Sequence, residues 1–271
     1  MAGPRALIET VGDGTLRFVR YIGGLGLLLG GVLRHTVVGP FRGHPVKAHE
    51  LWSQMVRVGP RSLLVVFQVN FFIGLILALI GGNILQSIAS DFVVYVGNLM
   101  SIGIVLELGP LLTGIIMSGY IGAALAAELG TMVVTEEVTA LRTTGLNPVR
   151  FLVAPRLWAT ILMIPCVTVL GDAVGILGGA TVATGLLGVS WNTYFERAWE
   201  QLGHNGTKDV WHGLEKAFTF GTIIGVVGCY QGFKVKGGPE GVGQATTNAV
   251  VSSIMLIITA DAILNYFLLF R

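Results

Sequence analysis

The chain has 271 residues, a formal net charge of +2 and only 12% charged residues, whereas soluble domains carry roughly a quarter. Its mean hydropathy of +0.75 argues against a water-soluble monomer and indicates an integral membrane protein. The small and scattered positive charge argues against nucleic-acid binding. Cys166 and Cys229 both lie in apolar segments, so we predict neither a disulfide framework nor a metal site.

Residues 1–57 are predicted to form a cytoplasmic or interfacial N-terminal segment. Its apolar part runs from Tyr21 to Leu33 between two arginines, and these thirteen residues are too few to cross a hydrocarbon core of ~30 Å. We therefore expect an interfacial helix. A cleavable signal peptide is the competing interpretation, but Glu9 and Asp13 precede the apolar stretch.

Residues 58–271 are predicted to form one all-α membrane domain. Long stretches without charge, interrupted only by Asp172 and Asp261, divide it into five predicted transmembrane helices. These spans cover about residues 62–84, 98–127, 153–186, 213–233 and 247–269.

The lysines and arginines predict the orientation, because basic loops stay in the cytoplasm. With the N-terminus inside, the inner segments hold thirteen of these residues and the outer segments hold four. The four outer residues are Arg197, Lys208, Lys216 and Arg271. The distribution predicts a cytoplasmic N-terminus and a periplasmic C-terminus.

A short amphipathic helix is predicted between the second and third spans. Glu136 and Glu137 lie in its expected first turn, Val138 and Leu141 share one face, and Gly145 ends it. The orientation above places this helix in the cytoplasm. On the pattern alone, an ordinary interfacial loop helix is an equal alternative.

Three stretches resemble the MlaE/YrbE family of ABC-transporter permeases, and the similarity extends from about Val58 to the C-terminus. They read E-L-G-P-L-L-T-G, A-A-E-L-G-T-M-V-V-T-E-E-V-T-A-L, and G-L-N-P followed by L-V-A-P-R. The resemblance implies that residues 135–144 form a coupling helix, which docks into a groove of a separate ATPase subunit. The residues expected to make this contact are Thr135, Glu136, Glu137, Val138, Leu141 and Arg142.

Ionisable groups within the spans are the next candidates, because charge in hydrocarbon is costly and usually faces a cavity or a partner. Glu107, Asp172 and Asp261 are such groups. Lys216 opens the fourth span at the level of Glu107 and Asp261. We hypothesise that Lys216 pairs with one of these two carboxylates beside a lipid headgroup path, with solvated helix-end charges as the alternative.

The resemblance implies functional roles for Glu107, Lys216 and Asp261. The family carries an acidic residue at the position of Glu107, a basic one at that of Lys216 and an acidic one at that of Asp261. The sequence also departs from the family pattern. Leu106 and Tyr120 stand where the family often has arginine. Apolar side chains of the first span, including Phe67, Phe71 and Leu75, are candidates for contact with acyl chains.

No ATPase motif is expected in this chain. The glycine-rich turn from Gly238 to Gly243 is followed by Gln244 and Ala245, so it lacks the lysine and the Ser or Thr of a phosphate-binding loop. ATP and magnesium would therefore belong to a partner ATPase, and no cofactor is predicted here.

The resulting prediction is a homodimeric, non-enzymatic permease that moves phospholipid in a bacterial inner membrane. By resemblance, its partners are a cytoplasmic ABC ATPase dimer, a periplasmic hexamer of MCE domains and a small accessory cytoplasmic protein. Sterol or another hydrophobic molecule is the alternative cargo. An ion-coupled secondary transporter or an intramembrane enzyme, with Glu107, Asp172 or Asp261 as a proton relay, is the alternative from a different class.

Overall fold

The computed structural model describes residues 4–38, 48–204 and 206–269. The described chain is built from helices and contains no strand, which confirms the all-helical part of the prediction. Residues 1–3 and 39–47 of the predicted N-terminal segment lie outside the described residues. So do residues 205, 270 and 271 of the predicted membrane domain, including Arg271 of the charge count.

Four helical stretches of the described chain are long and apolar enough to cross a membrane. They are His49–Ile88, Ser90–Val134, Val149–Gly185 and Pro239–Phe267. They correspond to the first, second, third and fifth predicted spans. The fourth predicted span is not among them, so the count of five is not confirmed. Its sequence carries Lys216 and Gln231, which make it less apolar than the other four.

The N-terminal part forms two helices. Helix α1 (Pro4–Val38) has 35 residues and extends well beyond the apolar segment predicted from the sequence. Helix α2 (Ala48–Val58) follows and packs against the third span.

The first span is a regular helix, whereas the second is interrupted by wider π-helical turns. Helix α3 (Leu63–Ile88) forms the first span. The second membrane helix begins with a 3₁₀ turn and continues as α4 (Val96–Ile102), α5 (Gly109–Met117) and α6 (Ala123–Val134), with π turns at Gly103–Leu108 and Ser118–Gly122. Pro110 has no N–H to donate, and the wide turn just before it accommodates the lost helical hydrogen bond.

The rest of the chain contributes one short helix and four longer ones. They are α7 (Glu137–Thr143), α8 (Ala154–Gly185, preceded by a π turn at Val149–Val153), α9 (Trp191–His204), α10 (Gly206–Phe233) and α11 (Pro239–Leu269). Helix α11 begins several residues before the predicted fifth span, because Pro239 is suited to the first turn of a helix. Helix α10 packs against α6, α8 and α11.

Two apolar cores fill the two ends of the bundle. The larger contains Leu129, Leu157 and Phe220 and extends to α7, and the smaller contains Met100 and Tyr194 and lies beside α9. We call these the α7 end and the α9 end. Tyr194 holds α9 onto α8 by donating a hydrogen bond to the carbonyl of Ile176 at 2.9 Å.

Glycine lets α3 and α8 pack backbone against backbone. A Cβ at Gly74 would overlap the carbonyl of Gly175, and a Cβ at Gly178 would overlap the carbonyl of Phe71. Small residues supply most of the helix packing in lipid, because no hydrophobic force drives helices together there.

Candidate functional site

Lys216 lies fully buried in α10, between the second membrane helix and α11. Its ammonium donates a hydrogen bond to Glu107 Oε2 and lies 3.1 Å from Asp261 Oδ1. The structure therefore brings together the three residues that the pairing hypothesis named. Lys216 contacts both carboxylates rather than one of them.

Asn265 completes this group, which we call the Lys216 cluster (Glu107, Lys216, Asp261 and Asn265). Its amide Nδ2 donates to Glu107 Oε1 at 3.0 Å and to Asp261 Oδ2 at 3.4 Å. Sequence reasoning missed Asn265, although its position four residues after Asp261 places both on one face of α11. The Lys216 ammonium and the Asn265 amide thus each contact both carboxylates, Glu107 and Asp261, which lie on different helices.

The Lys216 cluster is open on one side. The side chain of Glu107 is 36% exposed, whereas that of Asp261 is 9% exposed and that of Lys216 is buried. Glu107 is therefore the member of the cluster that a polar ligand group can reach first.

The local backbone explains how Lys216 reaches Glu107. Glu107 lies in the π turn Gly103–Leu108, and a Cβ at Gly213 of α10 would overlap the carbonyl of Val105 in the same turn. Glycine at 213 therefore lets α10 approach the second membrane helix closely, one turn before Lys216.

Helix α7 has the amphipathic character predicted for it. Val138 is buried, and Leu141 packs against the larger core. The other candidate contact residues, Thr135, Glu136, Glu137 and Arg142, are exposed.

One detail of the predicted α7 is wrong. Glu136 does not lie in the first turn but precedes the helix with φ of 62°, in the left-handed region. The chain turns here, and Thr135 and Glu136 still donate their N–H groups to the carbonyls of Thr131 and Val133. This turn leaves Glu137 as the acidic residue of the first turn of α7, where its charge complements the helix dipole.

A second ion cluster, which sequence reasoning missed, lies toward the α7 end. We call it the Glu128 cluster (Arg57, Glu128 and Arg156). Arg57 pairs with Glu128 Oε1, and Arg156 Nη2 lies 3.4 Å from Glu128 Oε2. Arg156 also donates to the carbonyl of Leu152 at 2.8 Å. The cluster joins α2, α6 and α8, and its only sequence signal was that Glu128 ends an uncharged stretch.

The remaining candidates lie elsewhere in the fold. Phe67, Phe71 and Leu75 are partly buried on α3, which packs along α8. They thus belong to a different helix pair from the Lys216 cluster. Tyr120 donates a hydrogen bond to the carbonyl of Arg61 at 3.4 Å. Asp172 is buried in α8 and is not a member of either ion cluster.

Comparison with known proteins identifies relatives along most of the chain. A probable ABC transporter permease of Rickettsia typhi is 34% identical over 259 residues, which are 96% of each chain. The intermembrane phospholipid transport system permease protein MlaE of Haemophilus influenzae is 30% identical over 264 residues, or 95% of each chain. The chloroplastic protein trigalactosyldiacylglycerol 1 of Arabidopsis thaliana is 33% identical over 79% of this chain and 60% of its own.

The family model of the permease MlaE matches residues 51–267. This match includes the second membrane helix, α7 and every member of the Lys216 cluster. The chain therefore belongs to the MlaE permease family of ABC transporters.

Proposed function

We propose that this chain is the permease subunit of an ABC transporter that moves phospholipid between a bacterial inner membrane and a periplasmic MCE-domain partner. A separate ATPase would drive the transport. The name of the Haemophilus relative supports phospholipid as the cargo. The observation that carries the proposal is the geometry of α7, which anchors two apolar side chains in the bundle and presents polar side chains outward.

Coupling would work through the anchored face of α7. Val138 is 6% exposed and belongs to the same apolar core as Leu129, Leu157 and Phe220. A force on α7 is therefore transmitted to packed helices rather than absorbed by a free loop. ATP binding would close the ATPase dimer and move the permease subunits as rigid bodies. ATP and magnesium belong to the ATPase in this proposal.

The exposed face of α7 would contact the ATPase. Thr135, Glu136, Glu137 and Arg142 would make this contact, because they are exposed on α7 or directly before it. Thr135 Oγ1 donates a hydrogen bond to Glu137 Oε1 at 3.0 Å, which orients one carboxylate of the contact surface.

The Lys216 cluster would contact the lipid headgroup. Its open member, Glu107, lies where a headgroup could approach, and the buried ammonium of Lys216 would hold this carboxylate in position. Two copies of the chain would enclose the lipid. Helix α11 supports this arrangement with exposed apolar residues, Val251, Met255 and Ile258, on one face. Phe67, Phe71 and Leu75 would contact acyl chains.

The topology we propose has five spans and an interfacial α1. Helix α10 would be the fourth span, because it packs between α6, α8 and α11. Two contacts of α1 support its interfacial position. The ring of Tyr21 lies 5.4 Å from that of Tyr230, near the end of α10, and His35 lies 3.2 Å from Asn147, just after α7. Both contacts are at the α7 end, so this part of α1 follows one surface of the bundle.

The α7 end would face the cytoplasm, with the ATPase dimer and any small accessory protein. The α9 end would face the periplasm and the MCE-domain hexamer. This orientation follows from the lysine and arginine distribution.

Affinity purification in mild detergent tests the proposal. Mass spectrometry of the purified permease should detect an ATPase and bound phospholipid. The variant Glu136→Ala/Glu137→Ala/Arg142→Ala should lose the ATPase and keep the lipid. The control Glu196→Ala/Glu200→Ala changes helix α9 and should keep both.

The same purification distinguishes the alternatives. Sterol in place of phospholipid would favour the alternative cargo. A permease that purifies alone and transports in vesicles without ATP would favour an ion-coupled transporter and overturn the proposal.

A further inference from the structure

A gap of about 400 Å³ separates part of α8 from α9, beside the start of α10 and the second membrane helix. We call it the α8–α9 cleft. Small-molecule sites occupy roughly 300–1,000 Å³, so the cleft is large enough for one hydrocarbon chain. The two helices line it with residues at helical spacing, which are Val169, Ala173 and Ile176 of α8 and Phe195, Ala198 and Leu202 of α9.

The α8–α9 cleft offers almost nothing to water. Of its eleven described lining residues, Asp172 alone carries an ionisable group, and this residue is 6% exposed. Its Oδ1 is enclosed against Gly109, which does not line the cleft. A buried water needs roughly two to four polar partners, and apolar cavities without them stay dry. Water is therefore a poor occupant of the cleft.

Hydrogen bonds hold α9 in place beside the cleft. Tyr194 donates to the carbonyl of Ile176 of α8 at 2.9 Å, and Ser101 of the second membrane helix donates to the carbonyl of Ala198 at 3.2 Å. A Cβ at Gly97 would overlap the carbonyl of Tyr194, so α9 also packs tightly on α4. The atoms around an unfilled space lose dispersion contacts. An apolar occupant would restore these contacts without moving α9.

The cleft opens onto the apolar outer surface of the bundle. At its rim Leu177 is 43% exposed and Trp199 is 67% exposed. Val169 of the lining continues into the exposed Leu170 outside it, and both lie within the third span, which ends at Gly185. Hydrocarbon of the bilayer can therefore enter from the side.

A second copy of the chain fits the cleft less well than a lipid chain does. The exposed apolar face to which we assign the second copy lies on α11, and α11 contributes none of the described lining residues. The cleft also has the volume of a single small ligand rather than the extent of an interface between copies.

We infer that the α8–α9 cleft binds one acyl chain of a bilayer lipid, whose headgroup stays outside the cleft. The bound chain completes the packing of α8 against α9. The site shares no residue with the Lys216 cluster. It lies apart from the proposed transport route and does not depend on it.

Photocrosslinking in a bilayer tests the inference. The full-length permease is reconstituted in nanodiscs that contain a phospholipid with a diazirine in one acyl chain, and mass spectrometry locates the lipid adducts after irradiation. Val105 and Ala198 line the cleft and are 8% and 3% exposed, whereas Leu170 reports on the surrounding lipid. We expect adducts at all three residues, because only a chain inside the cleft reaches the two buried ones.

Two variants on α8 distinguish the cleft from the general lipid surface. Ala173→Phe adds a ring at an exposed lining residue and should lower the adducts at Val105 and Ala198 about tenfold, because the ring competes for the same space. The adducts at Leu170 should remain. Cys166→Phe, about two turns earlier, is the matched control, because Cys166 is exposed and does not line the cleft. It should leave all adducts unchanged.

The inference is overturned if Leu170 is modified while Val105 and Ala198 are not. It is also overturned if Ala173→Phe leaves their adducts unchanged, or if Cys166→Phe removes them to the same extent. Absence of adducts at the rim residues Leu177 and Trp199 as well would show that a second copy covers the cleft, and would likewise overturn it.

Discussion

The two ion clusters divide charge in opposite ways. In the Lys216 cluster one buried ammonium serves two carboxylates, whereas in the Glu128 cluster one carboxylate is served by two guanidinium groups. Arg57 and Glu128 are 38% and 24% exposed at their side chains, but Lys216 is inaccessible. The loss of Lys216 would therefore leave Glu107 and Asp261 without a cation in their cluster, whereas the loss of Arg57 would leave Glu128 with Arg156.

This comparison also separates two roles for charge in a membrane protein. The Glu128 cluster joins α2, α6 and α8, and its partly exposed Arg57 and Glu128 side chains can be screened from outside. The Lys216 cluster joins three helices within the bundle, where an unpaired charge costs several kcal/mol. Charges paired between buried helix faces indicate a functional site more strongly than partly exposed charges do.

The largest effect is expected for Lys216→Met. It leaves Glu107 and Asp261 beside each other without a cation, and breaking a buried pair in this way costs about 3–5 kcal/mol. Thermal unfolding in detergent should show a large decrease in Tm. Lys236→Met, at an exposed lysine, is the matched control. Adding Glu107→Gln and Asp261→Asn should restore much of the stability, and a native Tm for Lys216→Met alone would contradict the comparison.

A smaller effect is expected for Gly213→Ala. The new Cβ would overlap the carbonyl of Val105 and push α10 away from the π turn that carries Glu107. Overpacking of this kind costs about 1–3 kcal/mol. Gly243→Ala serves as the control, because a Cβ there meets no atom within 4 Å. If both variants melt alike, close approach of α10 does not hold the Lys216 cluster together.

The smallest effect is expected for Arg57→Gln. A partly exposed ion pair contributes about 0–1 kcal/mol, and Arg156 remains beside Glu128. Tm should therefore change little in this variant. Arg156→Gln should cost more, because Arg156 is buried and also bonds the carbonyl of Leu152. The reverse order would contradict this prediction, because it would make the more exposed guanidinium the more important partner of Glu128.

Features that depend on local pattern could be predicted from the sequence. Four long apolar stretches and the amphipathic α7 follow from charge spacing and from the positions of Val138 and Leu141. The meeting of Lys216 with Glu107 and Asp261 could also be anticipated, because all three lie at similar depths in their spans. Depth along a helix is encoded in the sequence even when the order of helices around the bundle is not.

Features that depend on which helices are neighbours could not be predicted. To predict Asn265 and the Glu128 cluster, one must know that α11 faces the second membrane helix and that α2 and α8 face α6. The left-handed Glu136 gave no signal either, since glycine is the usual marker of that conformation. The polar residues of α10, Lys216 among them, lower its hydropathy. The same lysine is the residue through which α10 takes part in the Lys216 cluster.

Phospholipid transfer from proteoliposomes tests the central claim most directly. The permease, co-reconstituted with the ATPase and the MCE-domain protein, should transfer a fluorescent phospholipid only when ATP is hydrolysed. Glu136→Ala/Glu137→Ala/Arg142→Ala should abolish this transfer. Transfer that follows a proton gradient without ATP, and that survives the α7 substitutions, would contradict the account.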